Sequence, residues 1–224
     1  MSNGTGGFWS RWRRAARWSA PWIGLGLLGV WCSGCQLIQA AAYFAQPETE
    51  KIAPEFSRLP GKQVVIYVWA EPEILWNYGK LRLDVSAHIG SYLTRHVKDV
   101  KVVDVLQVER YIEQQRIADL DPVQVGRHFK ADVVIYLSVH KFSTRDPDMA
   151  HFYRGRISSS VHVYDLTAGE EPERIVLQDV SVAVPEHGPV GLENTTAAQI
   201  RQMAYDAFTV EVGRKFHEWE RPIG

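Results

Sequence analysis

Two periods of apolar residues alternate along this chain of 224 residues. The run KQVVIYVW, residues 62 to 69, is almost continuously apolar and rich in β-branched and aromatic side chains, so it predicts a strand covered on both faces. The segment AEPEILWNYGK, with Pro72 and Gly79 as punctuation, reads as a loop. Val85, His88, Ile89, Tyr92, Leu93, His96 and Val97 then recur at helical spacing and predict an amphipathic helix over 82–98. KVVDV at 101–105 predicts a short strand, and QVERYIEQQRI a second helix with Val108, Tyr111 and Ile112 on one side. Asp121-Pro122 is an N-cap followed by proline at the first helical position, opening a short helix PVQVGRHFK. ADVVIYLSVHKFS is the clearest strand.

After Thr144 the period shortens to two. RISSSVHVYDLTAG alternates, a turn spans Thr167 to Glu171, and ERIVLQDVSVAV alternates again, so residues 153–184 predict an antiparallel hairpin. Thr196 and Gln199 fit a capping box. Behind them Ile200, Met203, Ala204, Ala207, Phe208, Val212, Phe216 and Trp219 trace one helical stripe of about six turns. The expected fold is therefore α/β (α+β): a mixed sheet of about five strands, βαβαβ followed by an antiparallel hairpin and a long C-terminal helix, in a single domain at 62–224.

The N-terminal region obeys a different logic. Arg11, Arg13, Arg14 and Arg17 precede an apolar run from Ile23 to Trp31, and no charged residue occurs between Arg17 and Glu48. Basic residues, an apolar stretch and then small residues make the layout of a secretory signal. Ser33 and Gly34, placed directly before Cys35, resemble a lipobox. That resemblance implies processing after Gly34 and a lipid on Cys35, with residues 1–34 as signal peptide and 35–61 as lipidated N-terminus and tether. Cys32 stands where a lipobox usually has leucine, and an uncleaved span over 18–45 is the rival reading. The Cys32/Cys35 pair also has the spacing of a redox or zinc motif, but there is no second cysteine pair to complete a four-ligand site. The tether carries three prolines and reads as an extended leader. The expected location is the bacterial cell envelope, membrane-anchored and facing the periplasm, and Gln36 resembles an outer-membrane retention signal.

Charge and motifs narrow the function classes. The net charge of −1 becomes −5 when the four arginines leave with the signal, which argues against a nucleic-acid partner. No cysteine follows Cys35, so the body has neither a disulfide framework nor a thiol nucleophile. No G-x-S-x-G, H-E-x-x-H or phosphate-loop motif occurs, so no catalytic residue, cofactor or metal is nominated, and the chain is expected not to be an enzyme.

Several phrases carry a resemblance: KQVVIYVW, VKVVDVLQVERYIEQQ, VGRHFKADVVIYLSVHKFS and SSVHVYDLTAGE, with Ala131-Asp132 before an apolar strand and Asp165-Leu166-Thr167-Ala168-Gly169-Glu170 after another. They are similar to a group of bacterial envelope lipoproteins and periplasmic domains. The group includes the curli secretion-channel lipoprotein, the outer-membrane activators of penicillin-binding proteins and the N-terminal domain of the Tol-system propeller protein. The resemblance covers residues 62–184 and implies a mixed sheet with helices on one face, used for binding other proteins. Only the fold transfers, since no catalytic signature is shared and long alternating hairpins for a membrane pore are absent.

Five sets of side chains invite a functional reading. Trp76 and Tyr78, in the loop after the first strand, are the candidates for partner contact, since aromatic anchors dominate interface energy; Trp69 is expected in the core. His140 and His162 fall on the alternate faces of their strands near Ser138, Ser158 and Ser160, so pairing of those strands creates a polar His/Ser face. His88 and His96, eight apart on one helix, are too distant to share a ligand and read as boundary residues. Asp146-Pro147-Asp148 and Glu71/Glu73 read as polar loops rather than as a calcium site or an acid/base pair. The expected function is a membrane-tethered envelope lipoprotein acting as a protein-binding or assembly module, toward an envelope protein or its own copies. The alternative is an envelope small-ligand or metal-binding protein, or enzyme, using the His140/His162 face.

Overall fold

A computed structural model describes residues 49–115, 120–146, 149, 151–169, 171–191, 193 and 195–223. Cys35 and its neighbours Ser33 and Gly34 lie outside the described residues. One compact unit spans Lys51–Arg221; of the other, residues 1–50 and 222–224, only Thr49, Glu50, Pro222 and Ile223 are described.

The centre of the fold is a parallel pair, β2 (Gln63–Ala70) and β4 (Val133–Arg145), in register from Val64↔Val133 to Ala70↔Val139. Both are apolar on both faces because both faces are covered, at least along their first halves. The short β3 (Lys101–Val102) pairs parallel to the other side of β2. Beyond β4 the sheet turns antiparallel through β5 (Phe152–Asp165) and β6 (Glu173–Val184), giving the order β3-β2-β4-β5-β6, with β7 (Val190–Gly191) pairing to the start of β5. This mixed α/β architecture matches the sequence pattern. The sheet has six strands rather than about five, because two residues of β7 carry too little pattern to be read. A separate two-stranded ribbon is made by β1 (Thr49–Ile52) and β8 (Trp219–Pro222).

Two helices pack on one face. α2 (Leu81–His96) contributes Leu81, Val85, Ile89 and Leu93, and α5 (Ala197–Gly213) contributes Ala204, Phe208 and Val212, against Ile66, Val68, Ile135, Leu137, Val161 and Val163. α5 starts as the sequence predicts: Thr196 Oγ1 accepts the Gln199 amide at 3.2 Å while Gln199 Oε1 accepts the Thr196 amide at 2.9 Å. On the opposite face α3 (Val105–Gln115) and α4 (Pro122–His128) place Val108, Ile112 and Val125 over Val65, Tyr67 and Val134. Asp121 caps α4 by accepting the Val123 amide at 3.0 Å. α4 lies so close to the sheet that a Cβ on Gly126 would meet the Val134 side chain at 2.4 Å. Helices therefore occupy both faces, not the single face implied by the family resemblance.

Three further differences from the sequence pattern have local causes. The segment after β2 is not all loop: Pro72–Asn77 forms α1, whose proline at the first turn gives up no hydrogen bond. The second half of the tether is not a free leader. Phe56 and Leu59 are buried in the main core, and the Phe56 amide donates to the Lys215 carbonyl at 3.0 Å. Finally, the C-terminal stripe does not run on to Trp219. α5 stops at Gly213, where a Cβ would fall 2.2 Å from the Tyr92 ring, and the chain turns so that Phe216 meets Phe56 edge-on and Trp219 enters β8.

Candidate interaction surface

The outer face of the sheet is only half roofed. α3 and α4 cover β2 and the start of β4; past them, no described helix lies over the rest of β4, β5 and β6. The strand pairing brings Tyr136 opposite His162 and Ser138 opposite Ser160 on this open part. His140 is the extra residue of a β-bulge between Val139↔Ser159 and Lys141↔Ser158, and its Nε2 lies 3.1 Å from Ser160 Oγ. A second bulge sits one strand over, where Gln178 and Asp179 together face the single Ser160. His140 and His162 thus do share one polar face with the serines.

The electrostatics of that face are set by Arg174. Its Nε and Nη2 approach His162 Nδ1 at 3.2 and 2.8 Å, so Nδ1 accepts and the ring proton sits on Nε2. Partial burial, then the Arg174 charge and then His140 hold the His162 imidazole below its usual value, against an opposing pull from Asp179. His162 therefore presents a neutral N–H donor outward. Its only basic nitrogen is already occupied, which works against metal ligation. Among the described residues no three His, Cys, Asp or Glu side chains are grouped to hold a metal ion.

Trp76 and Tyr78 part company. Trp76, on α1, is 91% exposed. Tyr78 packs inward, edge-on to Phe142 with centroids 4.6 Å apart and its hydroxyl 3.3 Å from Thr144 Oγ1. It anchors α1 and thereby fixes where Trp76 points. Trp69 is half-buried on the outer face in register with Ser138, not in the core.

The other candidates are structural. His88 Nδ1 lies 2.7 Å from the Asp84 carbonyl and its Nε2 2.8 Å from Gln202 Nε2. His96 stacks between Tyr92 and His217, at centroid distances of 4.0 and 5.2 Å. Asp146 is buried and takes a 3.0 Å bond from Arg156. Sequence reasoning missed Arg174, Asp179 and His217. For Asp179 a signal existed: the polar doublet Gln178-Asp179, like His140-Lys141, interrupts strict alternation between buried residues, which is how a bulge reads in sequence. For His217 there was none, since it reaches His96 only through the turn after α5.

No family model and no curated protein matches this chain. Solved structures do resemble it. The PelC dodecamer from Paraburkholderia phytofirmans is 10% identical, covering 77% of this chain and 99% of that one, with a TM-score of 0.41. Lipoprotein GNA1162 from Neisseria meningitidis is 16% identical over 67% of this chain and 96% of that one, at 0.41. A minor lipoprotein from Acinetobacter baumannii is 13% identical over 70% and 92%, at 0.31. These likenesses are to bacterial proteins, two of them lipoproteins by name.

Proposed function

We propose that this chain is a membrane-tethered lipoprotein of the bacterial cell envelope whose α/β domain binds another protein or its own copies. The anchor rests on the basic-apolar-small layout ending at Cys35. No described helix is long and apolar enough to cross a membrane. The observation that carries the binding role is Trp76: a tryptophan left 91% exposed on a helix held by Pro72 and the packed Tyr78. A large aromatic side chain displayed on a rigid support is suited to be an interface anchor, because little entropy is lost when a partner covers it.

Two experiments test this reading. Cys35→Ala abolishes incorporation of labelled fatty acid and releases the domain from membranes; unchanged retention refutes the lipid anchor. A photocrosslinking residue at position 76 gives a discrete adduct in intact membranes, whereas one at the exposed Arg110 of α3 does not. Equal, diffuse labelling at both positions refutes the binding role of Trp76.

A further inference from the structure

β6 is the terminal strand of its sheet, and among the described residues no main-chain bond reaches its outer edge. An edge of this length attracts foreign strands and is normally shielded. Here the shield is half complete. Residues 55–58 run past the first half: Glu55 Oε2 accepts the Gln178 amide at 2.9 Å, and Arg58 bonds Glu173 at 2.7 Å. From Asp179 to Val184 the edge instead borders a cleft of about 820 Å³, whose far wall is Ala207 and Val210 of α5 with Arg214 and Trp219 beyond it. Its floor is made of small and β-branched residues of β6 itself, among them Val180, Val182 and Ala183.

We propose that this open half-edge binds an extended, cationic segment of a partner protein by strand addition. The inference rests on the protein-binding reading above and gives it a second surface and a ligand class. Three observations specify the occupant. The unpaired main-chain groups call for an extended backbone. Glu55 already supplies a carboxylate to the Gln178 amide where the cleft begins, so this edge does accept an acceptor from outside the sheet. The charges of the lining then choose the sign. Lys215 is held by Glu55 at 2.7 Å, Arg214 is held by Glu211 and lies over Trp219, and Arg221 is also partnered. Asp179 and Glu186 have no ion-pair partner among the described residues. They flank the open edge, Asp179 within β6 and Glu186 in the turn that follows it. The free charge of the cleft is negative at both ends. A second copy fits poorly, because two β6 edges would bring these carboxylates together along one seam while Arg174 stays engaged with His162.

The test uses the full chain in detergent and a nine-residue peptide of alternating valine and threonine with lysine at each end. Hydrogen exchange slows within residues 179–184 when the peptide is added, and calorimetry gives saturable binding. A peptide with glutamate at each end binds about five- to tenfold more weakly, as does the lysine peptide to the Asp179→Asn/Glu186→Gln double variant. N-methylation of the peptide at alternate valines removes binding. Protection away from β6, equal binding of the glutamate peptide, or indifference to N-methylation overturns the proposal. So does a concentration-dependent dimer in sedimentation that protects the same amides, which assigns the edge to a second copy. Mass spectrometry of the same sample reads the acyl group on Cys35. A lipidated chain that ignores the peptide fails this proposal alone, and an unlipidated chain that binds it fails the anchor alone.

Discussion

The two faces of the sheet are built from the same strands with opposite outcomes. On the face toward α2 and α5, every second residue of β2 and of β4 as far as Val139 is apolar and buried, β5 adds Ile157, Val161 and Val163, and Phe208 and Leu93 fill the gap between helices and sheet. On the other face the same strands carry Tyr67 and Val134 under α3 and α4, then change to Ser138, His140, Ser160 and His162 where the helices end. The irregularities follow that division, falling beyond the cover of α3 and α4 at His140, between Ser143 and Arg145, and at Gln178-Asp179. A strand under helices has its register fixed by packing, since a slip of one residue would turn its whole apolar set outward. A strand with one free face can insert a residue, and the insertion re-aims a side chain. The stable face and the adaptable face are thereby separated within single strands.

Substitutions on each face sharpen that contrast. Phe208→Ala empties the centre of the covered face and lowers unfolding free energy by about 3–5 kcal/mol, read as a reduced midpoint in urea. Gly126→Ala forces α4 away from Val134 and costs about 1–3 kcal/mol in the same assay; a neutral result would mean that the α4 contact gives way freely. Thr196→Ala removes the cap of α5 and costs about 1 kcal/mol. On the open face, Val176→Ala changes stability by less than about 0.5 kcal/mol, although valine at this position is 65% exposed on a strand. A larger loss would reveal a cover that the fold itself does not supply.

The smallest effect is a titration. With its folded value held below the usual imidazole value of 6.5, His162 contributes stability that is complete above pH 6.5 and is lost as pH falls through the lowered folded value. Arg174→Ala removes one of the causes and raises the midpoint of the His162 ring signal in NMR. An unchanged midpoint would show that the Arg174 charge plays no part in it.

Much of the fold was legible because it is local. The caps at Asp121 and Thr196 need only neighbours in sequence, and the strand at 63–70 and the start of the strand at 133–145 announce two-sided burial through apolar runs. The polar His/Ser face was legible in outline, because period two places His162, Ser160 and Ser158 together whatever β5 pairs with. Tyr78 and Trp76 were not separable, since both are aromatics in a Pro/Gly-bounded segment and only Phe142 and Thr144, some 65 residues away, decide which one is buried. The burial of Phe56 and Leu59 was likewise hidden in a proline-rich leader with no period.

What the sequence determined by itself is the longer strands and helices and their amphipathic faces, because propensity, capping and patterning act over a few residues. What only the tertiary structure decided is which half of the outer face stays open, that Arg174 sets the state of His162, and that the leader shields β6 as far as Gln178 and no farther. Those outcomes depend on which surfaces meet in three dimensions, across 123 residues in the case of Glu55 and Gln178, and no local period encodes such a meeting.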